Sequence, residues 1–179
     1  IKNFGVGDFK NNFYANIDNS KYVNLDKPIS DDFLLNINDI LFVRSNGNQK
    51  LIGRTVLVNE LKEKATFSGF VIRGRPKSEV INSKYLCHYL KSDRARKQMV
   101  NSGIGTAIKS LNQNTLSRIK VPFNNSRESQ LIATNQIEDL IEKIEKVISL
   151  KRINLMKYEE LRKSTFRQYF NLNHEWSRN

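Results

Sequence analysis

At 179 residues, 39% of them hydrophobic, the chain is long enough for one domain with a true core, or for a modest domain plus an extended element, and is excluded from the disordered class. One cysteine excludes an internal disulfide, and neither an apolar run approaching the roughly 18 residues of a membrane span nor a signal peptide is visible, so a reducing bacterial cytoplasm is expected. The formal net charge is +12, and its surplus is local: residues 1–60 carry seven basic and seven acidic side chains, residues 61–126 thirteen and three, and residues 127–179 ten and eight.

A surplus gathered in the middle third is the footprint of a polyanion binder, nucleic acid above all; the blander reading is a solvated basic face. In chain order, residues 40–44 (ILFVR) predict a short buried strand, residues 45–50 (SNGNQK) a turn, and residues 51–58 (LIGRTVLV) the returning strand of a hairpin. Residues 65–73 predict a third strand, with Ser68 and Gly69 allowing close approach or a bulge and Arg75-Pro76 ending it. Tyr85, Leu86, Tyr89 and Leu90 stand at helical spacing, and residues 93–100 continue as a second basic helical segment. Residues 119–121 predict a short strand stopped by Pro122.

From about residue 127 to residue 170 there is neither Gly nor Pro, Ser126 can cap a helix, and Glu128 sits in its first turn, where the dipole favours an acid. Ile137, Ile141, Ile144, Ile148, Leu155 and Tyr158 alternate at four and three residues, interrupted by Lys151 and Arg162; Leu140 and Val147 widen the stripe. The expectation is therefore an α+β protein. Residues 1–125 form a globular domain of short strands and helices, residues 126–170 a long coiled-coil helix, and residues 171–179 a tail. Such a helix is too long for so small a domain to cover, so it calls for a partner helix; the alternative packs it along its own domain.

Catalytic chemistry finds little support. The prolines are Pro28, Pro76 and Pro122, none adjacent, so the Asn/Asp-Pro-Pro-aromatic loop of an amino methyltransferase of DNA is absent, as is a phosphate-binding Gly-x-x-x-x-Gly-Lys-Ser/Thr loop. Gly103-Ile104-Gly105 is too short for a cofactor loop and reads as a turn. Cys87-His88 has no further ligands nearby, His174 being the other histidine, so no metal and no cofactor are expected. Asp31-Asp32 before an apolar run reads as a turn or helix start.

Binding residues are better supported. Arg44, Ser45, Asn46, Asn48, Gln49 and Lys50 cluster at the hairpin tip and include the side-chain types that read guanine or adenine edges bidentately, although any hairpin tip favours Asn and Gly. Arg54, Arg73 and Arg75 are charged residues within strands and must face solvent or a ligand. Lys91, Arg94, Arg96 and Lys97 lie on helical segments and would add sequence-blind phosphate affinity, or only form a wet face. Lys109, Asn112 and Gln113 follow a Gly-Ile-Gly-Thr loop in which Thr106 and backbone amides can hold a phosphate, so a positioning role is expected there rather than a reading one. Phe67 and Phe70 are expected in the core.

The order and spacing of residues 39–58, 65–76, 85–100 and 102–150 together resemble the specificity subunits of type I restriction-modification enzymes, over roughly residues 37–165. The resemblance implies a non-catalytic subunit that reads one half of a split double-stranded DNA target through a target recognition domain. It also implies a conserved helix that pairs antiparallel with a second one, fixes the gap, and docks modification subunits and through them the restriction subunit. Full-length members carry two recognition domains and two helices; this chain carries one of each and opens at Ile1, so it is expected to be a fragment, or a half-subunit completed by a second copy. Helix pairing would fall to Ile137, Leu140, Ile141, Ile144, Val147, Ile148 and Leu155. Alternatives are the specificity part of a related type II system, or a coiled-coil interaction protein whose basic domain holds another protein or an acidic surface.

Overall fold

The structure, a computed structural model, describes residues 1–76, 79, 81–100, 110–123 and 126–172. It forms two compact units, Ile1–Thr134 and Asn135–Asn179. The secondary structure is mixed α and β.

The first unit is built on a strand buried on both faces. Strand β3, Ile40–Val43, is flanked by β4, Thr55–Leu57, and β6, Val71–Gly74, both antiparallel to it. Alternate side chains of a strand point to opposite faces, and here both faces are covered. Leu41 and Val43 join Val56, Val58 and Val71 in one core; Ile40 and Phe42 join Leu57, Cys87, Leu90, Ala95, Met99 and Leu111 in the other. A run of four apolar residues is what such a position demands, since each buried side chain of this size stabilises by roughly 1.5–3 kcal/mol.

The second sheet has the order β2-β1-β5: β1, Lys2–Phe4, pairs antiparallel with β2, Lys21–Tyr22, and parallel with β5, Ala65–Phe67. Residues 65–73 are thus not one strand. β5 ends at Phe67 in one sheet and β6 begins at Val71 in the other, joined by a turn in which Val71 N–H donates to Ser68 O at 2.9 Å. The small pair Ser68-Gly69 serves that change of sheet rather than a bulge. Phe70, expected in the core, is 63% exposed at the turn, while Phe67 is half-buried against the first core.

Helix α1, Ser83–Lys91, begins at Asn82, whose side chain accepts from Tyr85 N–H at 3.0 Å. Helix α2, Asp93–Val100, follows at once. Cys87, Leu90, Ala95 and Met99 form their buried stripe. Residues 119–121 form no strand. A short helix α3, Gln113–Ser117, stands just before them, and Tyr89 Oη donates to Lys120 O at 2.7 Å where a ladder was expected.

Helix α4, Arg127–Leu172, spans 46 residues, a length of about 69 Å. Its first two turns belong to the first unit: Gln130 and Thr134 are buried, and Gln130 Oε1 accepts from Asn82 N–H at 2.8 Å. Beyond them the stripe is exposed. Leu140, Ile141, Ile144, Val147, Ile148 and Leu155 are between 41% and 59% accessible, and Ile137 is half-buried. Asp139 and Lys143, one turn apart, pair at 2.6 Å on the polar side.

Candidate nucleic-acid interface

The connection between β3 and β4 is longer than the turn expected at residues 45–50, because β4 begins at Thr55 and residues 49–51 form a 3-10 turn instead of the start of the returning strand. Asn48 caps a 3-10 turn, Gln49–Leu51, by accepting from Lys50 N–H at 3.0 Å, and Asn46 Oδ1 accepts from Asn48 N–H at 2.8 Å. The amide oxygens of Asn46 and Asn48 therefore shape the loop, leaving Arg44, Gln49 and Lys50 as its exposed long side chains; Ser45 is half-buried. At the far end, Gly53 has φ +77, and a Cβ added there would stand 3.2 Å from Met99 Sδ of α2. Glycine thus lets the loop close against α2. Arg96 of α2 returns the contact by donating from Nη2 to Lys50 O.

This approach creates a cleft of about 760 Å³ between the loop, the first pair of helices and the turn at Lys10 and Asn11. Lys10, Lys50, Arg54, Lys91, Arg96 and Lys97 line it, with Asp93 as the acid among its lining residues. Low-dielectric walls carrying one sign of charge focus the field on such a cleft. Six cations from segments spread over 88 residues are brought together, and Lys10 and Asn11 carry no local signal that marks them in the sequence.

The cations differ in what they hold. Lys91 Nζ donates to Asn12 O at 3.0 Å and Thr55 O at 3.1 Å and stands 5.9 Å from the Phe13 ring centre. The side chain as a whole is exposed, but its ammonium end is enclosed by these groups; burial lowers its pKa from the ordinary lysine value, helped by Arg54 and opposed by Cys87. Arg54 is half-buried, with Nη1 donating to Phe9 O at 3.4 Å. Lys10, Lys50, Arg94 and Lys97 are exposed.

Arg73 and Arg75, read from the sequence as facing solvent or ligand, each engage donors inside the first unit, although the buried Nε of Arg73 has no partner among the described residues. Arg73 Nη1 donates to Leu34 O at 2.8 Å and lies over Phe67. Arg75 clamps the buried carboxylate of Asp39 with Nε and Nη2. Placing a guanidinium against that carboxylate raises its own pKa.

A second cleft, of about 490 Å³, is lined by Arg44, Ile72, Asn112, Gln113 and Asn114. Two backbone hydrogen bonds of Arg44 assemble it: its N–H donates to Phe70 O at 2.8 Å, and its carbonyl accepts from Leu111 N–H at 2.7 Å. Asn112 caps α3, its Oδ1 accepting from both Thr115 N–H at 2.8 Å and Thr115 Oγ1 at 3.1 Å. Thr106 and Lys109, with Gly103 and Gly105, lie outside the described residues, as does His174.

Burial pushes the Cys87 thiol up to about 12, the charge of Lys91 opposing, so it is protonated at neutral pH and packs as an apolar group. Among the described residues no three His, Cys, Asp or Glu side chains group as metal ligands, and no helix is long and apolar enough to cross a membrane. Asp31 and Asp32 open a 3-10 turn capped by Ser30, the turn start expected.

Comparison with known families matches residues 3–155 to the model described as type I restriction modification DNA specificity domain. No curated protein matches the chain.

Proposed function

The chain belongs to the type I restriction modification DNA specificity domain family, and from that membership we propose that it reads one half of a bipartite duplex DNA target on behalf of a modification complex. The first unit meets the DNA. The exposed stripe of α4 pairs antiparallel with a second such helix, from another copy or another recognition half, and sets the distance between half-sites. The same helices dock the modification subunits, and through them the restriction subunit, so methyl transfer and cleavage belong to those partners.

The observation that carries this reading is the basic cleft. Phosphate charge lies along both strands of the duplex, and releasing its counterions drives sequence-blind affinity. Lys10, Lys50, Lys97 and Arg96 present cations to one face from three segments of chain. Contacts of that kind fix register, leaving sequence to side chains that reach base edges. The exposed helix supports the second half of the proposal: a contiguous apolar stripe of this length is far larger than scattered surface residues.

The test is reconstitution with a cognate modification subunit from the source cell. Methylation of one bipartite sequence, with the chain alone inactive and the modification subunit alone unselective, is the expected result. Failure to co-purify with any modification subunit, together with salt-insensitive DNA binding, would overturn it.

A further inference from the structure

Phe70 is a large aromatic ring, 63% exposed, on a turn with a definite structure. Ser68 O accepts from Val71 N–H at 2.9 Å, and Phe70 O accepts from Arg44 N–H at 2.8 Å, so the backbone beneath the ring is tied to both sheets' ends. Arg44 in turn holds Leu111, and with it the start of α3, through its carbonyl. One residue of the hairpin therefore gathers two segments that are 26 and 67 residues distant from it in the chain. Arg44, Gln113 and Asn114 line one cleft, and Phe70, whose carbonyl bonds the Arg44 N–H, carries its exposed ring on the strand end next to it.

Each group has a partner in the major groove. Arginine bonds guanine O6 and N7 bidentately, glutamine and asparagine bond adenine N6 and N7, and an apolar side chain covers the thymine methyl. Asn112 is different: with Oδ1 engaged at the cap, it offers only its amide donor and cannot read adenine bidentately. An exposed phenyl ring on the residue bonded through its backbone to Arg44 has no use in phosphate binding.

We infer that Phe70 is a specificity-determining residue that covers a thymine methyl in the major groove, next to the bases contacted by Arg44, Gln113 and Asn114. This rests on the DNA reading proposed above and goes beyond it by naming the chemical group recognised. Phe70 is not among the residues that line the phosphate cleft, so its loss should alter selectivity rather than salt-dependent affinity.

The experiment uses the full chain and a random duplex library, followed by resynthesis of the selected duplex with uracil replacing each thymine in turn. Uracil lacks only the methyl, and one buried methyl is worth about a fourfold preference. The unmodified chain is expected to bind about fourfold more weakly to the duplex substituted at one position. Phe70→Ala should bind thymine and uracil equally there while keeping selection elsewhere, and Phe70→Leu should restore part of the preference. Arg44→Ala should lose selection at a neighbouring base pair. An unchanged thymine-to-uracil ratio in Phe70→Ala, or an equal loss on both duplexes, overturns the assignment while leaving DNA reading intact. An unmodified chain that enriches no sequence overturns the DNA reading itself, and the two failures are thereby distinguished.

Discussion

Arg75 Nε donates to Asp39 Oδ1 at 2.7 Å and Arg75 Nη2 to Asp39 Oδ2 at 2.8 Å, so one bidentate pair joins the segment after β6 to the residue before β3. Asp39 is fully buried, and its Oδ2 also accepts from Asn36 N–H at 2.7 Å. Arg75 Nη2 reaches Leu34 O at 2.9 Å as well. The pair closes the edge of the central sheet, and planar fork geometry is what permits it.

Removing one partner leaves the other as an uncompensated buried charge. Arg75→Ala should destabilise the first unit by about 3 kcal/mol or more, and Arg75→Lys should recover only part, because an ammonium cannot form the fork. Urea unfolding followed by circular dichroism checks this. An Arg75→Ala protein as stable as the unmodified one would return Arg75 to the list of ligand contacts.

Duplex binding by the chain should weaken steeply with salt. If about five phosphates are neutralised, log affinity falls against log salt with a slope of roughly −4 to −5. Single changes of Lys10, Lys50 or Lys97 to alanine should each make that slope shallower by about 0.9 on cognate and scrambled duplexes alike. Mobility shifts at several salt concentrations measure it, and a slope near zero would sink the phosphate role of the cleft.

Lys91 should behave differently from its neighbours. Its ammonium bonds Asn12 O and Thr55 O, so Lys91→Met should lose stability as well as some DNA affinity. Burial lowers its folded pKa below the unfolded value of 10.5, so across the pH window just beneath 10.5 the unfolded chain holds the proton more tightly. Stability contributed by this group therefore rises with pH through that window. In Lys91→Met the rise should be absent, which denaturation midpoints measured across alkaline pH would reveal.

The stripe of α4 should be a pairing surface. Ile144→Glu or Ile148→Glu places an unpaired carboxylate in the seam and should cost about 3 kcal/mol or more per contact. Analytical ultracentrifugation is expected to show the unmodified chain self-associating and the variants shifted to monomer. A monomeric chain, unaffected by Ile144→Glu, contradicts the pairing.

If α4 sets the gap between half-sites, a seven-residue insertion after Ser149 lengthens the spacer by about 10.5 Å while keeping the heptad seam in phase. At roughly 3.4 Å per base pair, the methylated sequence should then carry a gap about three base pairs longer. Insertions of two residues rotate the two ends of the helix by roughly 200° relative to each other and should abolish methylation. Mapping of methylated sites in the reconstituted complex decides this.

Most of the local elements are legible in the chain. The long helix, α1 and α2 follow from periodicities shared with neighbours three or four positions away, the β3–β4 pair from short apolar runs around turn residues, and the basic middle third from composition. The sequence did not determine the change of sheet at residues 68–70, because one apolar run satisfies a single strand and two short ones equally, and only β1, more than 60 residues upstream, claims β5. Nor did it determine which cations are free for a ligand. Arg54, Arg73, Arg75 and Lys91 look alike in the chain, but backbone carbonyls or a buried carboxylate engage them once the fold is closed. The gathering of Arg44, Phe70 and Leu111 belongs to the same class. Contacts over 26 and 67 residues require loops to close and cores to pack, and their free energy comes from the joint burial of many segments, so no local stretch of sequence carries it.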